Sequence, residues 1–175
     1  IGAGLQDRGA QVYQGLTYMD FDKKRMDEQG YGEYLPLDPS LLPNVYIAYK
    51  RELSEGSEVF HNNIRARFNS GEKLVVDAMQ TWADLTDQVR DALLAGRKEE
   101  IGGLLNANFD LRRSLYELHP DNIQMVETAR SVGASAKFTG SGGAIVGTYE
   151  DDGMFSELIK VLEPLSIAVF KPNII

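Results

Sequence analysis

Five small residues, Thr139, Gly140, Ser141, Gly142 and Gly143, stand together in the stretch KFTGSGGAIVG. They have little side-chain surface to bury, so they serve a sharp backbone turn or let something outside the chain approach the backbone. As a turn, they would join two strands in a hairpin. As a binding loop, their N–H groups and hydroxyls would meet a phosphate or a sugar. On this segment alone the hairpin is favoured.

Asn108 and Arg112 are four residues apart and fall on the apolar stripe of a predicted helix. The stripe is formed by Ile101, Leu104, Leu105, Leu111 and Leu115. A cation on such a stripe needs an anionic partner, because burial of an unpaired charge is costly. That partner is either a carboxylate of this chain or a bound anion.

Asp7, in the segment GLQDR, is an acid close to the start of a predicted helix. Acids are favoured there by the helix dipole, which explains the residue without any chemistry. A carboxylate in a cleft could also accept or orient the proton of a hydroxyl group.

The hydrophobic pattern predicts the elements that must hold these residues. Strands are predicted at 16–21, 45–49, 134–139, 144–149 and 166–170. Helices are predicted at 5–13, from Val75 to a stop at Gly96, and at 98–118, 120–132 and 154–162. Residues 22–36 are predicted as a loop or an edge hairpin. A helical block followed by strands indicates an α+β fold, an antiparallel sheet with helices packed on one face.

Composition limits the function. The 175 residues can bury one sizeable core, and a net charge of −8 argues against nonspecific nucleic-acid binding. With no cysteine and two histidines, a zinc site is not expected. No apolar run approaches the roughly 20 residues of a membrane span, and no signal peptide is recognisable, so a cytoplasmic protein without a membrane partner is predicted.

Four blocks occur in a characteristic order: GLQDR, QVYQGLTYMDF, NFDLRR and VGASAKFTGSGGAIVG. Together they resemble the C-terminal half of GHMP-family small-molecule kinases, and within that family the kinases of D-glucuronate most closely. The blocks extend from Gly4 to Gly147, although residues 22–100 carry little of the likeness. The resemblance implies a remnant of the N-terminal kinase domain at 1–50, followed by a C-terminal GHMP-kinase-type domain at 51–175.

The resemblance also implies roles for individual residues. Asp7 matches the catalytic aspartate of galactokinases and mevalonate kinases. Residues 139–143 match the glycine-rich third motif of the family, which lies near the nucleotide phosphates. The NFDLRR helix is similar to the helix that faces the substrate, which implies sugar contacts for Asn108, Asp110, Arg112 and Arg113. Asp7 and the loop are then expected to converge on one cleft.

A kinase of this kind is a phosphotransferase with an alcohol group as acceptor, and uses ATP and Mg²⁺. The expected reaction is phosphorylation of the anomeric hydroxyl of D-glucuronate to the 1-phosphate. An arginine is expected to bind the sugar carboxylate through two parallel hydrogen bonds, and Arg112 is preferred to Arg113 for this role. Related kinases of galactose, fucose or a heptose, and a noncatalytic domain that binds a metabolite or completes a subunit, are the alternatives.

The family's second motif, PxxxGLxSSA, belongs to its N-terminal half and does not occur in this sequence. That motif forms a loop that binds the nucleotide phosphates at a helix start. The resemblance therefore implies that the N-terminal half of the same kinase is a partner, and that this chain alone turns over little.

Overall fold

The computed structural model describes residues 4–50 and 58–174, with the side chains of all but residues 58–63. They form two compact units, 4–42 with 173–174, and 43–172. The units therefore divide before the strand at Val45–Lys50, whereas the predicted domain boundary follows residue 50. The reason is that this strand is hydrogen-bonded into the sheet of the second unit.

The first unit contains helix α1 (Leu5–Val12), strand β1 (Leu16–Asp20), helix α2 (Lys23–Gln29), strand β2 (Glu33–Leu37) and a 3-10 turn at Pro39–Leu41. Strands β1 and β2 form an antiparallel hairpin. Helix α2 corrects the prediction of a loop or hairpin over 22–36. Asp22 caps this helix by accepting a hydrogen bond from the Arg25 N–H, and Gly30 ends it with φ of 80°.

Helix α1 packs on this hairpin at its only buried residue, Gly9. A Cβ added at Gly9 would lie 2.7 Å from the sulfur of Met19 on β1. Beyond the helix, the rings of Tyr13 and Tyr34 are stacked with centroids 4.9 Å apart. The close approach therefore depends on the absence of a side chain at Gly9.

The second unit contains strand β3 (Val45–Lys50), helices α3 (Glu58–Asn69), α4 (Lys73–Leu94), α5 (Lys98–Leu115) and α6 (Pro120–Ser131), strands β4 (Lys137–Phe138) and β5 (Ala144–Thr148), helix α7 (Asp152–Leu162), a 3-10 turn at Glu163–Leu165, and strand β6 (Ile167–Phe170). The strands form an antiparallel sheet in the order β4, β5, β3, β6. The sequence pattern did not assign α3.

One face of this sheet is covered by α5, α6 and α7. Strand β3 contributes Tyr46 and Ala48 to the core, because alternate residues of a strand point to the same face. The helices contribute Phe109, Met125, Val126, Ala129, Leu158 and Leu162. The predicted α+β fold, with helices on one face of an antiparallel sheet, is confirmed.

Two predicted elements, the helix at 98–118 and the strand at 134–139, are longer than the observed ones by more than one residue. Helix α5 ends at Leu115 instead of continuing to 118, because the backbone is already extended at Tyr116 and at His119, which precedes Pro120. Strand β4 covers two residues of the predicted 134–139. Before it, the Ser135 N–H donates to the Thr148 carbonyl at 3.0 Å, but the Thr148 N–H is accepted at 2.7 Å by the Ser135 side chain instead of its carbonyl, which ends the regular ladder.

Helix α4 packs along α5 and extends the core away from the sheet. Its Val75 and Ala78 form a second apolar cluster with Ile64 of α3 and Leu115 of α5. The indole N–H of Trp82 donates to the Asn108 carbonyl at 3.2 Å, which ties α4 to the middle of α5. None of the helices among the described residues is long and apolar enough to cross a membrane.

Candidate functional site

The glycine-rich loop, residues 139–143, is the turn of the hairpin between β4 and β5. The Thr139 N–H donates to the Ala144 carbonyl at 3.1 Å and closes the turn. Gly142 and Gly143 have φ of 150° and 74°, values that residues with a side chain rarely adopt. The loop is thus a tight hairpin, and its backbone requires glycine at positions 142 and 143.

Helix α6 and strand β3 fix the loop on its Gly143 side. The side-chain oxygen of Asn122 accepts the Gly143 N–H at 3.1 Å, and the Lys50 N–H donates to the Gly143 carbonyl at 3.0 Å. The Lys50 ammonium reaches back to Asp121 at 2.6 Å, and this ion pair lowers the pKa of Asp121 through the hydrogen bond from Lys50. Pro120 starts α6 and so places Asp121 and Asn122 beside the loop.

Arg112 of α5 fixes the loop on its other side. Its guanidinium donates to the Gly140 carbonyl at 2.9 Å and to the Ser141 carbonyl at 3.4 Å. Its central carbon lies 5.2 Å and 5.3 Å from the ring centroids of Tyr116 and Phe138. The apolar surroundings desolvate the guanidinium and lower its pKa.

Arg112 has no carboxylate within ion-pair distance in the described part of the chain, and its buried Nε–H has no hydrogen-bond partner there. Of the two partners open at the level of sequence, an internal ion pair is therefore not the observed one. The observed partners are carbonyl oxygens, which are polar but uncharged, so the positive charge of Arg112 is not neutralised by them.

Lys137 is a second cation at the start of the loop, and it was not among the predicted site residues. Its ammonium donates to the Phe138 carbonyl at 2.8 Å. Burial, and then the positive charge of Arg112, lower the pKa of Lys137. The signal available in the sequence was a lysine directly before the aromatic residue and the five small residues. Two mutually repelling cations, neither of them paired with an acid in the part of the chain that the structure describes, favour a bound anion at this place.

Three backbone donors of the loop, the N–H groups of Gly140, Ser141 and Gly142, have no acceptor among residues 4–50 and 58–174. Successive free amides in a glycine-rich turn are a typical binding arrangement for phosphate or carboxylate oxygens. The hairpin and the binding loop are thus compatible, since the same turn that joins β4 to β5 leaves donors for a ligand.

The other predicted substrate residues lie on α5, near Arg112. Asn108 is half-buried, and its backbone carbonyl accepts from Trp82. Asp110 is exposed and paired with Arg130 at 2.6 Å, and Arg113 is paired with Glu127 at 2.7 Å. The pair of Arg113 and Glu127 is at the surface and so contributes little to stability, whereas Arg130 is half-buried and also donates to the Asn106 and Ala136 carbonyls at 3.1 Å and 3.0 Å.

Asp7 lies in the first turn of α1, in the first compact unit. Its side chain is exposed, and its carboxylate accepts the Gly4 N–H at 3.1 Å. This is the helix-capping contact expected for an acid at a helix start. The geometry of Asp7 is therefore explained locally, and its catalytic assignment stays a prediction.

No group of three acidic, histidine or cysteine side chains able to hold a metal ion occurs among the described residues. The carboxylates that flank the loop are engaged elsewhere, as in the pairs of Asp110 and Asp121. The donors at the loop are cations and amides, and this donor set suits the oxygens of an anion.

Comparison with known proteins shows which protein family part of this chain is similar to. Residues 89–163, from late α4 to the turn after α7, match the family described as GHMP kinases C terminal. This range contains α5, α6 and the glycine-rich loop. This segment of the chain is therefore similar to the C-terminal domain of the GHMP kinases, the family that the sequence blocks resemble.

Two plant relatives narrow the comparison. The chain is 46% identical over 149 residues to Glucuronokinase 1 of Arabidopsis thaliana, and 47% identical over 150 residues to Probable glucuronokinase 2 of the same species. Each match covers 83% of this chain and 41% of the relative. The chain thus resembles glucuronokinases and spans about two fifths of their length.

Solved structures show the same fold at lower identity. The L. major mevalonate kinase, in complex with R-mevalonate, has a TM-score of 0.76 at 20% identity, covering 100% of this chain and 55% of the kinase. The Lactococcus lactis galactokinase complexed with galactose has a TM-score of 0.67 at 18% identity, covering 99% of this chain and 55% of that one. At identities of 20% and 18%, these two matches show the fold of the chain.

Proposed function

We propose that this chain supplies the C-terminal half of an ATP-dependent kinase that phosphorylates the anomeric hydroxyl of D-glucuronate, giving glucuronate 1-phosphate and ADP. The observation that carries the proposal is the 46% identity to Glucuronokinase 1 over 83% of the chain, which includes the glycine-rich loop. The free amides and unneutralised cations at this loop support it, since they suit an anionic substrate.

The glycine-rich loop is proposed to contact the phosphates of ATP through the N–H groups of Gly140, Ser141 and Gly142, with the hydroxyls of Thr139 and Ser141 beside them. Phosphoryl transfer depends on positioning and on stabilisation of charge on the phosphate oxygens, which fixed amide donors provide. Gly143 allows the turn. Mg²⁺ is proposed to enter with ATP, because phosphate oxygens and water supply most of its ligands in such enzymes.

Asp7 is proposed to accept or orient the proton of the anomeric hydroxyl. To do so, its carboxylate would exchange the Gly4 N–H for the sugar hydroxyl or accept from both, which a carboxylate with two oxygens can do. This assignment rests on the match of GLQDR to the family segment.

Helix α5 is proposed to face the sugar with Asn108, Asp110, Arg112 and Arg113. The carboxylate of glucuronate needs a cation, and the candidates at this place are Arg112, Arg113 and the newly identified Lys137. Arg113 would have to leave Glu127, at little cost for a surface pair. Lys137 has one acceptor for its three N–H donors, so it can bind the carboxylate without losing a contact.

The N-terminal half of the kinase is the proposed partner, since the relatives are more than twice as long as the matched segment. A loop opening a helix in that half would complete the triphosphate site. This chain by itself is expected to show little turnover.

The test is a coupled assay of ADP release, with the chain alone and with the chain supplied with the N-terminal half of an Arabidopsis glucuronokinase. D-glucuronate, galactose, fucose and a heptose are compared as acceptors. We expect turnover in the sample that contains the N-terminal half, with the highest kcat/KM for glucuronate. Asp7→Asn should lower kcat at least a thousandfold, whereas Asp27→Asn, an exposed acid of the same unit, should leave it unchanged.

Preference for a neutral sugar in this assay would contradict the glucuronate assignment. Glucuronate binding without turnover, after supply of the N-terminal half, would instead indicate a noncatalytic metabolite-binding domain. Full activity of the chain alone would contradict the need for the partner.

A further inference from the structure

Arg112 makes contacts that recognition of a sugar carboxylate does not explain. Both terminal nitrogens of its guanidinium donate to loop carbonyls, those of Gly140 and Ser141, at 2.9 Å and 3.4 Å. The third nitrogen, Nε, is buried and has no partner in the described part of the chain. Both terminal nitrogens of the guanidinium are thus engaged by the loop, which commits two of its five N–H groups to the Gly140 and Ser141 carbonyls.

The two carbonyls belong to successive peptide groups, Gly140–Ser141 and Ser141–Gly142. Because a trans peptide is planar, its C=O and its N–H point in opposite directions. Holding the Gly140 carbonyl toward Arg112 therefore points the Ser141 N–H away from the guanidinium. Holding the Ser141 carbonyl does the same for the Gly142 N–H. These are two of the three N–H groups that have no acceptor among the described residues.

Arg112 itself is held firmly. Its guanidinium lies over the rings of Tyr116, at the end of α5, and of Phe138, which directly precedes the loop. Phe138 is buried in the core and packs edge to face on Phe109 of α5. The position of the guanidinium is thus fixed by the same packing that joins α5 to β4.

We infer that Arg112 is a positioning residue for phosphoryl transfer, which orients the Gly140–Ser141 and Ser141–Gly142 peptide groups so that their N–H groups face the transferring phosphate. The inference rests on the proposed function and assigns Arg112 to the loop instead of the sugar carboxylate. Its positive charge, not neutralised by an acid, adds to the attraction for the phosphate from behind the loop.

The kinetic test uses Arg112→Gln and Arg112→Lys in the chain supplied with the N-terminal half. Arg112→Gln should lower kcat at least tenfold and change the KM for glucuronate less than twofold. Arg112→Lys should recover part of kcat, because an ammonium keeps the charge and can hold one carbonyl. The control is Arg97→Gln. Arg97 is an exposed arginine just before α5 and is paired with Glu100, so its substitution should change neither constant. A loss confined to the KM for glucuronate would overturn the inference.

A second test uses this 175-residue chain without turnover. Amide NMR spectra are recorded during titration with inorganic tripolyphosphate. The Ser141 and Gly142 signals should shift saturably, and Arg112→Gln should broaden them and abolish the shift while the β3 and β5 amides stay unchanged. Unaltered loop signals and an unaltered titration in Arg112→Gln would overturn the inference whatever the kinetics show. Intact tripolyphosphate shifts without turnover of any sugar would contradict the proposed function alone.

Discussion

The side-chain oxygen of Asn122 accepts the backbone N–H of Gly143 at 3.1 Å, at the point where the glycine-rich loop turns into β5. The same side chain fills the space beside Gly142, since a Cβ added there would lie 2.7 Å from the Asn122 nitrogen. Helix α6 therefore restrains one end of the loop, and Arg112 of α5 restrains the other.

Asn122→Ala should loosen the Gly143 end of the loop. Without this acceptor the peptide groups of the loop can rotate. We therefore expect the kcat of the chain, measured together with the N-terminal half, to fall about tenfold, since small displacements of positioning groups have large kinetic effects. Gln124→Ala, an exposed residue on the same helix, is the matched control. Unchanged kcat in Asn122→Ala would show that this restraint has no role in turnover.

Gly102→Ala and Gly103→Ala should change stability in opposite directions. A Cβ at Gly102 would lie 2.8 Å from the Thr148 hydroxyl oxygen, where α5 crosses β5, whereas a Cβ at Gly103 meets nothing within 4 Å. Gly102→Ala should therefore lower the free energy of unfolding by about 1–3 kcal/mol. Gly103→Ala should raise it by about 0.5–1 kcal/mol, because alanine favours a helix interior. Urea denaturation of both variants measures the difference, and equal effects would refute the close approach of α5 to β5.

Tyr46→Phe tests the polar contact inside the core. The buried hydroxyl of Tyr46 donates to the Ser135 carbonyl at 2.8 Å, and burial raises the pKa of this phenol. Removing the hydroxyl leaves the carbonyl without this donor, so the free energy of unfolding should fall by about 1–3 kcal/mol. Tyr49→Phe, at an exposed position of the same strand, should change it by less than about 0.5 kcal/mol. An unchanged free energy of unfolding in Tyr46→Phe would mean that the Ser135 carbonyl finds another donor.

Lys137→Met should stabilise the fold and impair binding. The folded state disfavours the charged ammonium, so removing the charge should raise the free energy of unfolding near neutral pH by about 1 kcal/mol. The KM for glucuronate should increase at least fivefold if Lys137 meets the sugar carboxylate. Lys24→Met, at an exposed position, is the control for both measurements. An unchanged KM would remove Lys137 from the proposed sugar site.

The burial of Lys137 should also make the stability of the fold depend on pH. The pKa of Lys137 is lowered by burial from the ordinary value of 10.5, so between the lowered value and 10.5 the unfolded chain binds more protons than the folded chain. The stability of the unsubstituted chain should therefore rise, relative to Lys137→Met, as the pH increases toward 10.5. Urea midpoints of both proteins at several pH values measure this, and parallel curves would contradict the burial of the ammonium.

The sequence by itself predicted most of the second unit. The apolar steps from Val75 to Leu93 predicted α4, and Gly96 and Pro120 predicted where helices stop and start, because these signals are local. Helix α2 was missed since its charged residues and the glycines that follow it are typical of loops, although Asp22 and Gly30 cap it. Strand β4 was overestimated because its contacts with β5 decide how many residues join the sheet, and at Ser135 a side chain takes the Thr148 N–H in place of the carbonyl.

The candidate site, too, could be predicted from the sequence only in part. The run of small residues and the Asn108–Arg112 spacing drew attention to the loop and to α5, because residue type and helical period are written in the sequence. The contact of Arg112 with the Gly140 and Ser141 carbonyls, the Asn122 restraint and the burial of Lys137 were decided only by tertiary structure. They join residues more than twenty positions apart or depend on what packs around a side chain, and neither follows from local pattern.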